Sequence, residues 1–173
     1  VVLVLLIPAY AVAQDLADTD PRVVAQAIND YRSEREHKII SDFVELLSIP
    51  NVALDLDDMN RNAEHITGLL EARGFKTQTL SAGGAPYVFA EMNTPNATET
   101  ILIYAHFDGQ PVQEENWKHA PFTPTLLDAP VQKGGQPVDI ASVDGVFDPE
   151  WRLYARSAGD DKMPIIAMIH VID

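Results

Sequence analysis

No cysteine occurs among the 173 residues, which excludes disulfides, thiolate nucleophiles and cysteine-bound zinc. Any metal therefore has to sit on histidine, aspartate or glutamate. Basic residues are scarce as well: 12 Lys and Arg stand against 26 Asp and Glu, for a formal net charge of -14. A chain of that sign is repelled by phosphate backbones and by anionic lipid, so neither nucleic acid nor a membrane surface is expected as a partner. Solubility alone accounts for the acidity equally well. No apolar run reaches the roughly 20 residues that a membrane-spanning helix needs. What remains, 46% hydrophobic and 22% charged, is the composition of a folded globular domain rather than a disordered segment.

The first residues, VVLVLLIPAYAVAQ, are apolar and end in small residues at alternating positions, Ala9, Ala11 and Ala13. That pattern fits signal-peptidase cleavage after Ala13. The chain opens on Val1 rather than Met, so residues 1–13 are read as a truncated secretory signal and residues 14–20 as an acidic linker. A secreted or periplasmic location is the expectation, with no membrane attachment once the signal is cleaved. The alternative is a buried N-terminal strand or helix.

From residue 21 onward the order of elements is that of an α/β enzyme. Asp20-Pro21 is a helix start, with a capping side chain followed by proline at the first helical position. Apolar residues then recur at three and four from Val24 to Leu47, around a charged run from Arg32 to Lys38, until Ile49-Pro50 ends the helix. Asp57 or Asp58 is the expected cap of a second helix, with Met59, Ala63, Ile66 and Leu70 on one face and Gly74 at its end. Strands are expected over Lys76–Leu80, Tyr87–Met92 and Thr100–Ala105. Pro121 to Pro149 reads as an excursion rich in turn residues. A strand over Trp151–Ala155, a polar turn over Ser157–Lys162 and a buried helix from Pro164 complete the chain.

Two places carry chemistry. In ILIYAHFDGQP, an apolar strand runs into His106 and Asp108, two residues apart and so on one side of an extended chain. Ligand sites of open α/β sheets lie at such carboxyl ends. The imidazole is a good zinc ligand, and a carboxylate beside it can fix its tautomer or take part in proton transfer. In WRLYARSAGDDKMP, a second strand leads to Asp160, Asp161 and Lys162. A carboxylate in such a turn can bridge two metal ions. It also suits a helix N-terminus, where the helix dipole favours negative charge.

In order, His-x-Asp-x-x-Pro, Trp117, Pro121-Phe122, a Leu-Tyr-x-Arg strand and Asp-Asp-Lys resemble the signature of the di-zinc metallopeptidase family of aminoacylase, carnosinase, glutamate carboxypeptidase and succinyl-diaminopimelate desuccinylase. The likeness spans about Asp20 to Asp173. It implies a three-layer α/β catalytic domain of the phosphorylase/hydrolase-like kind and hydrolysis of peptide or N-acyl amino acid amide bonds with two zinc ions per complete site. It further implies His106 as a ligand of one zinc, Asp160 as the carboxylate bridging both, and Asp108 as the acidic residue supporting catalysis. Trp117 and Phe122 would pack near the site.

Family members take a general-base glutamate and further ligands from segments well after the Asp-Asp-Lys turn. The chain is accordingly read as the N-terminal portion of the domain, with a second, dimer-forming domain lying outside it. The sequence departs from the family at Gly109, usually β-branched, and at Ala155, Ser157 and Met163, where glycine is common. The remaining histidines, His37, His65, His119 and His170, read as surface or packing residues, with His119 nearest the motif loop. Two rival readings are a non-catalytic binding domain on the same fold with a degenerate metal site, and an unrelated periplasmic binding domain.

Overall fold

The computed structural model describes the backbone of Val2–Leu5 and all of residues 20–173. Asp20 caps helix α1 (Pro21–Ser48), accepting from the Arg22 amide at 2.9 Å. The charged stretch does not interrupt the helix, because its charges pair along it: Arg32 with Glu36, and Lys38 with Asp42, one turn apart. The helix stops before Pro50, whose ring disfavours a helical conformation at the preceding residue. Helix α2 (Leu56–Glu71) is capped by Asp55 rather than by Asp57 or Asp58; the Asp55 carboxylate accepts from the Asp58 amide at 3.1 Å. Asp57 and Asp58 lie instead in the first turn, where the helix dipole favours them. Gly74, with φ 83°, ends that segment as expected.

The expected strands form with small changes at their ends: β2 (Lys76–Leu80), β3 (Tyr87–Met92), β4 (Ile101–Tyr104) and β6 (Arg152–Tyr154). The excursion contributes β5 (Thr125–Leu127), which pairs antiparallel with β6 in a two-stranded ribbon apart from the main sheet. Val2–Leu5, part of the run read as a leader, form β1, and the main sheet has the order β2-β3-β1-β4. β1 runs parallel to β3 and antiparallel to β4. Ala9, Ala11, Ala13 and the 14–19 linker lie outside the described residues.

Helix α3 (Lys162–Val171) packs on α1, and α2 lies on β2 and β3. Period-two alternation sends Val88, Ala90 and Ala105 to the helix side of the sheet. There they meet Leu46 of α1, Met59, Ile66 and Leu70 of α2, and Ile165 and Ile169 of α3 in one buried core. Each fully buried Val, Leu, Ile or Met side chain among them contributes about 1.5–3 kcal/mol by leaving water, and each alanine less. The fold is α/β, as expected. Among the described residues helices cover one face only, while Leu102 and Tyr104 on the other face are 62% and 66% exposed.

Candidate metal centre

β4 delivers the chain to the site, and the alternation of strand side chains continues past its end. Phe107 points into the core and is 2% exposed, so His106 and Asp108 on either side of it face outward together. The turn after β6 brings Asp160 and Asp161 to the same place. His106 Nε2 lies 2.9 Å from Asp160 Oδ1, and His106 Nδ1 lies 3.2 Å from Asp108 Oδ1 and 3.2 Å from the Asp108 carbonyl oxygen. Asp161 turns inward, its Oδ2 accepting from the His106 backbone amide at 3.2 Å. The Asp160–Asp161 peptide bond is cis.

Both ring nitrogens of His106 thus face carboxylate oxygens, surroundings that favour the ring with a proton on each nitrogen and the positive charge this brings. Burial, the largest single influence, disfavours that charge. The Asp108 carbonyl and the carboxylates of Asp108, Asp161 and Asp160 together outweigh it and hold the imidazole above its ordinary pKa. A cation between Nε2 and Asp160 would replace one of those protons, while Asp108 on Nδ1 keeps the ring oriented.

The donors fit zinc in kind and in convergence. Two ligands at ~2.0–2.1 Å from a tetrahedral zinc lie ~3.4 Å apart, close to the spacing of this pair. They fall short in number: among the described residues no group of three His, Asp or Glu is placed to hold a metal ion. A cleft of about 240 Å³ opens beside the pair, walled by Ala53, Met59, Pro86, Tyr87 and Tyr104.

Other residues anticipated from sequence are placed differently. Trp117 carries the Arg156 guanidinium over its ring at 5.1 Å, and Phe122 is half-buried. His119 Nε2 is buried without a hydrogen-bond partner and lines a separate hollow with Trp117 and Tyr154. His170 is buried in the α1–α3 contact, 3.2 Å from carboxylate oxygens of both Asp42 and Asp173 though not aligned for hydrogen bonds. Met163 is 47% exposed and needs no pocket beside the turn.

Sequence reasoning missed two buried polar residues. Lys162 is fully buried, and its Nζ donates to the carbonyls of Leu46 at 2.8 Å and Ile49 at 2.7 Å, at the C-terminal end of α1. Burial lowers its pKa to about 7, against a smaller opposing pull from Asp58. Asn51 is also fully buried, between the His106 loop and Ser157. It explains Gly109: a Cβ there would stand 2.8 Å from Ser157 Oγ and 3.0 Å from Asn51 Oδ1, leaving no space for the expected β-branched side chain.

No protein-family profile matches the chain. The Cys-Gly metallodipeptidase dug1 of Schizosaccharomyces pombe is 32% identical over 89 residues, covering 51% of this chain and 14% of that protein. The Cys-Gly metallodipeptidase DUG1 of Candida albicans is 24% identical over 173 residues, covering 90% of this chain and 31% of its own length. The chain therefore spans less than a third of either curated relative. Among solved structures, the di-peptidase Dug1p from Saccharomyces cerevisiae superposes with a TM-score of 0.61 at 19% identity, over 83% of this chain and 29% of that one. The M20 family metallo-carboxypeptidase Sso-CP2 from Sulfolobus solfataricus gives a TM-score of 0.51 at 28% identity, over 78% of this chain and 26% of that one. The chain is thus similar, in sequence over part of its length and in fold, to metallodipeptidases and to an M20 family metallo-carboxypeptidase.

Proposed function

We propose that the chain carries part of the zinc site of a hydrolase that cuts the amide bond of a small peptide or N-acyl amino acid. One observation carries this reading: His106 Nε2 and Asp160 Oδ1 converge to 2.9 Å, at the ends of two strands far apart in sequence. The metallodipeptidase and metallo-carboxypeptidase relatives support it. When bound, zinc supplies Lewis-acid polarisation of the scissile carbonyl. His106 and Asp160 hold it, Asp108 fixes the imidazole so that Nε2 faces the metal, and Asp161 anchors the His106 backbone. The cleft beside His106 has room for a small side chain of the substrate. Further donors and a general base must come from outside residues 20–173, in keeping with the greater length of the relatives. Two ions per site, with Asp160 as the bridge, and dimerisation through another domain belong to the same proposal.

Variants of the full-length, zinc-loaded enzyme, assayed for metal content and dipeptide hydrolysis, test these roles; residues 1–173 alone are expected to hydrolyse no dipeptide. His106→Ala and Asp160→Ala are each expected to remove both metal and activity. Asp161→Ala is expected to be milder, since its carboxylate holds a backbone amide. Asp108→Asn should lower activity by about 10- to 100-fold, as orienting partners of metal ligands do, and cost less in metal content. Full zinc occupancy in Asp160→Ala refutes the assignment. Retained ligand binding with no hydrolysis in a zinc-loaded protein favours the non-catalytic binding domain instead.

A secretory leader over residues 1–13 is part of the proposal, supported by the apolar run and the alternating alanines. It competes with the sheet for Val2–Leu5, because cleavage after Ala13 would remove β1 from between β3 and β4. N-terminal sequencing of exported protein is expected to begin at or near Gln14. A mature chain that keeps Leu3 to Leu6 overturns the leader.

A further inference from the structure

The two halves of the centre come from different parts of the fold. His106 and Asp108 follow a strand of the main sheet, whereas Asp160 follows the β5–β6 ribbon. Nothing in either strand pairing fixes one relative to the other. Between them lies Asn51, in the link from α1 to α2, with its side chain wholly out of water. Its Nδ2 donates to the Phe107 carbonyl at 2.6 Å and to Ser157 Oγ at 2.9 Å. Phe107 is the residue between His106 and Asp108, and Ser157 opens the turn that ends in Asp160. The Phe107 carbonyl can only accept, so chemistry dictates which end of the amide faces it. The Asn51 backbone joins the same arrangement: its carbonyl accepts from the Gly109 amide at 2.7 Å, and Gly109 in turn accepts from the Ala53 amide at 3.0 Å.

The geometry points to Asn51 as a positioning residue, whose amide clamps the His106 loop to the Asp160 turn and so sets the spacing of the two metal donors. Both amide hydrogens are used, one for each half of the site. Another side-chain tie joins the halves, Asp161 Oδ2 accepting from the His106 amide at 3.2 Å, and it leaves the Phe107 carbonyl and Ser157 Oγ to Asn51. The fit is tight on the remaining side as well, since a Cβ at Gly109 would meet Asn51 and Ser157 at 2.8–3.1 Å. In a buried setting, a missing donor leaves the Phe107 carbonyl without a partner, and the loop gains by moving toward water. A displacement on the order of 1 Å is enough to spoil a ligand set.

The inference rests on the metal-site reading for its purpose but not for its test. The His106 amide, which donates to Asp161 Oδ2, reports docking of loop on turn without any metal. Hydrogen exchange of that amide is measured in the metal-free chain, in Asn51→Leu, which keeps the bulk but lacks the donors, and in Leu70→Ala, a core change away from the site. The comparison is made at matched global stability. The His106 amide is expected to exchange at least about tenfold faster in Asn51→Leu than in Leu70→Ala. Ser157→Ala, which removes one of the two tethers, should fall between them and serves if Asn51→Leu does not fold. Equal exchange of the His106 amide in the Asn51 or Ser157 variant and in Leu70→Ala overturns the clamp. Zinc titration of the same proteins separates the two ideas: an apparent affinity about tenfold weaker in Asn51→Leu supports both. Fast exchange together with zinc affinity that is the same in wild type, Asn51→Leu and Asp160→Ala supports the clamp and sinks the metal reading.

Discussion

His106 is approached at its backbone amide by Asp161, at Nδ1 by Asp108 and at Nε2 by Asp160, so three carboxylates converge on one histidine, two of them on its ring. Asp108 and Asp160 could be singled out only by the order of several motifs together, because His-x-Asp alone also suits an exposed loop and Asp-Asp alone also suits a helix N-terminus. Lys162 and Asn51 were not legible. A lone lysine after two aspartates reads as a solvated partner for them, yet its ammonium reaches back to the end of α1, where it joins the Ile49 amide on the Leu46 carbonyl and donates to the otherwise open Ile49 carbonyl. Lys162→Met would keep the stem and remove the donors, leaving the Ile49 carbonyl unpaired while the Leu46 carbonyl keeps the Ile49 amide. The expected cost is about 1–3 kcal/mol per carbonyl left without a partner, read as a shift in the urea midpoint. An unchanged midpoint would show that water reaches the Ile49 carbonyl.

At the level of elements, cap chemistry and periodicity located α1, α2, β2 and β3 closely, because the signals are local. The cap of α2 was misassigned by two residues since Asp55, Asp57 and Asp58 are all competent, and only the backbone course selects Asp55. The pairing of β5 with β6, and the contact of α3 with α1, depend on distant partners and left no local mark. One such contact gives a pH dependence. Arg73, just past α2, donates to Asp173 beyond α3 at 2.8 Å. That hydrogen bond, against a smaller opposing effect of burial, holds the Asp173 carboxyl below its ordinary value of 3.8. The unfolded chain therefore takes up the proton first as acid is added. The contribution is whole above pH ~4 and is lost as pH falls through the lower folded-state value. Arg73→Gln should lower stability by a constant amount above pH ~4 and flatten the acid limb below it, so that the two curves converge at low pH. Parallel curves for the two proteins would remove this pair from the account.

Across the whole molecule, α/β architecture followed from the order of helices and strands, and the fold shared with longer peptidases bears it out. The fate of the N-terminal apolar run did not follow, because one stretch of apolar residues satisfies both a leader and a strand. The extent of the metal centre is likewise a property of the whole: two donors converge, and a catalytic zinc takes about three from protein. The direct measurement is zinc titration of the chain labelled with ¹⁵N in its five histidines, following each ring by NMR. The His106 signals are expected to move alone, with weak affinity, reversibly on adding chelator, and not at all in Asp160→Ala. Zinc that moves other histidines while leaving His106 in place, or that binds Asp160→Ala as well as the parent chain, would contradict the site.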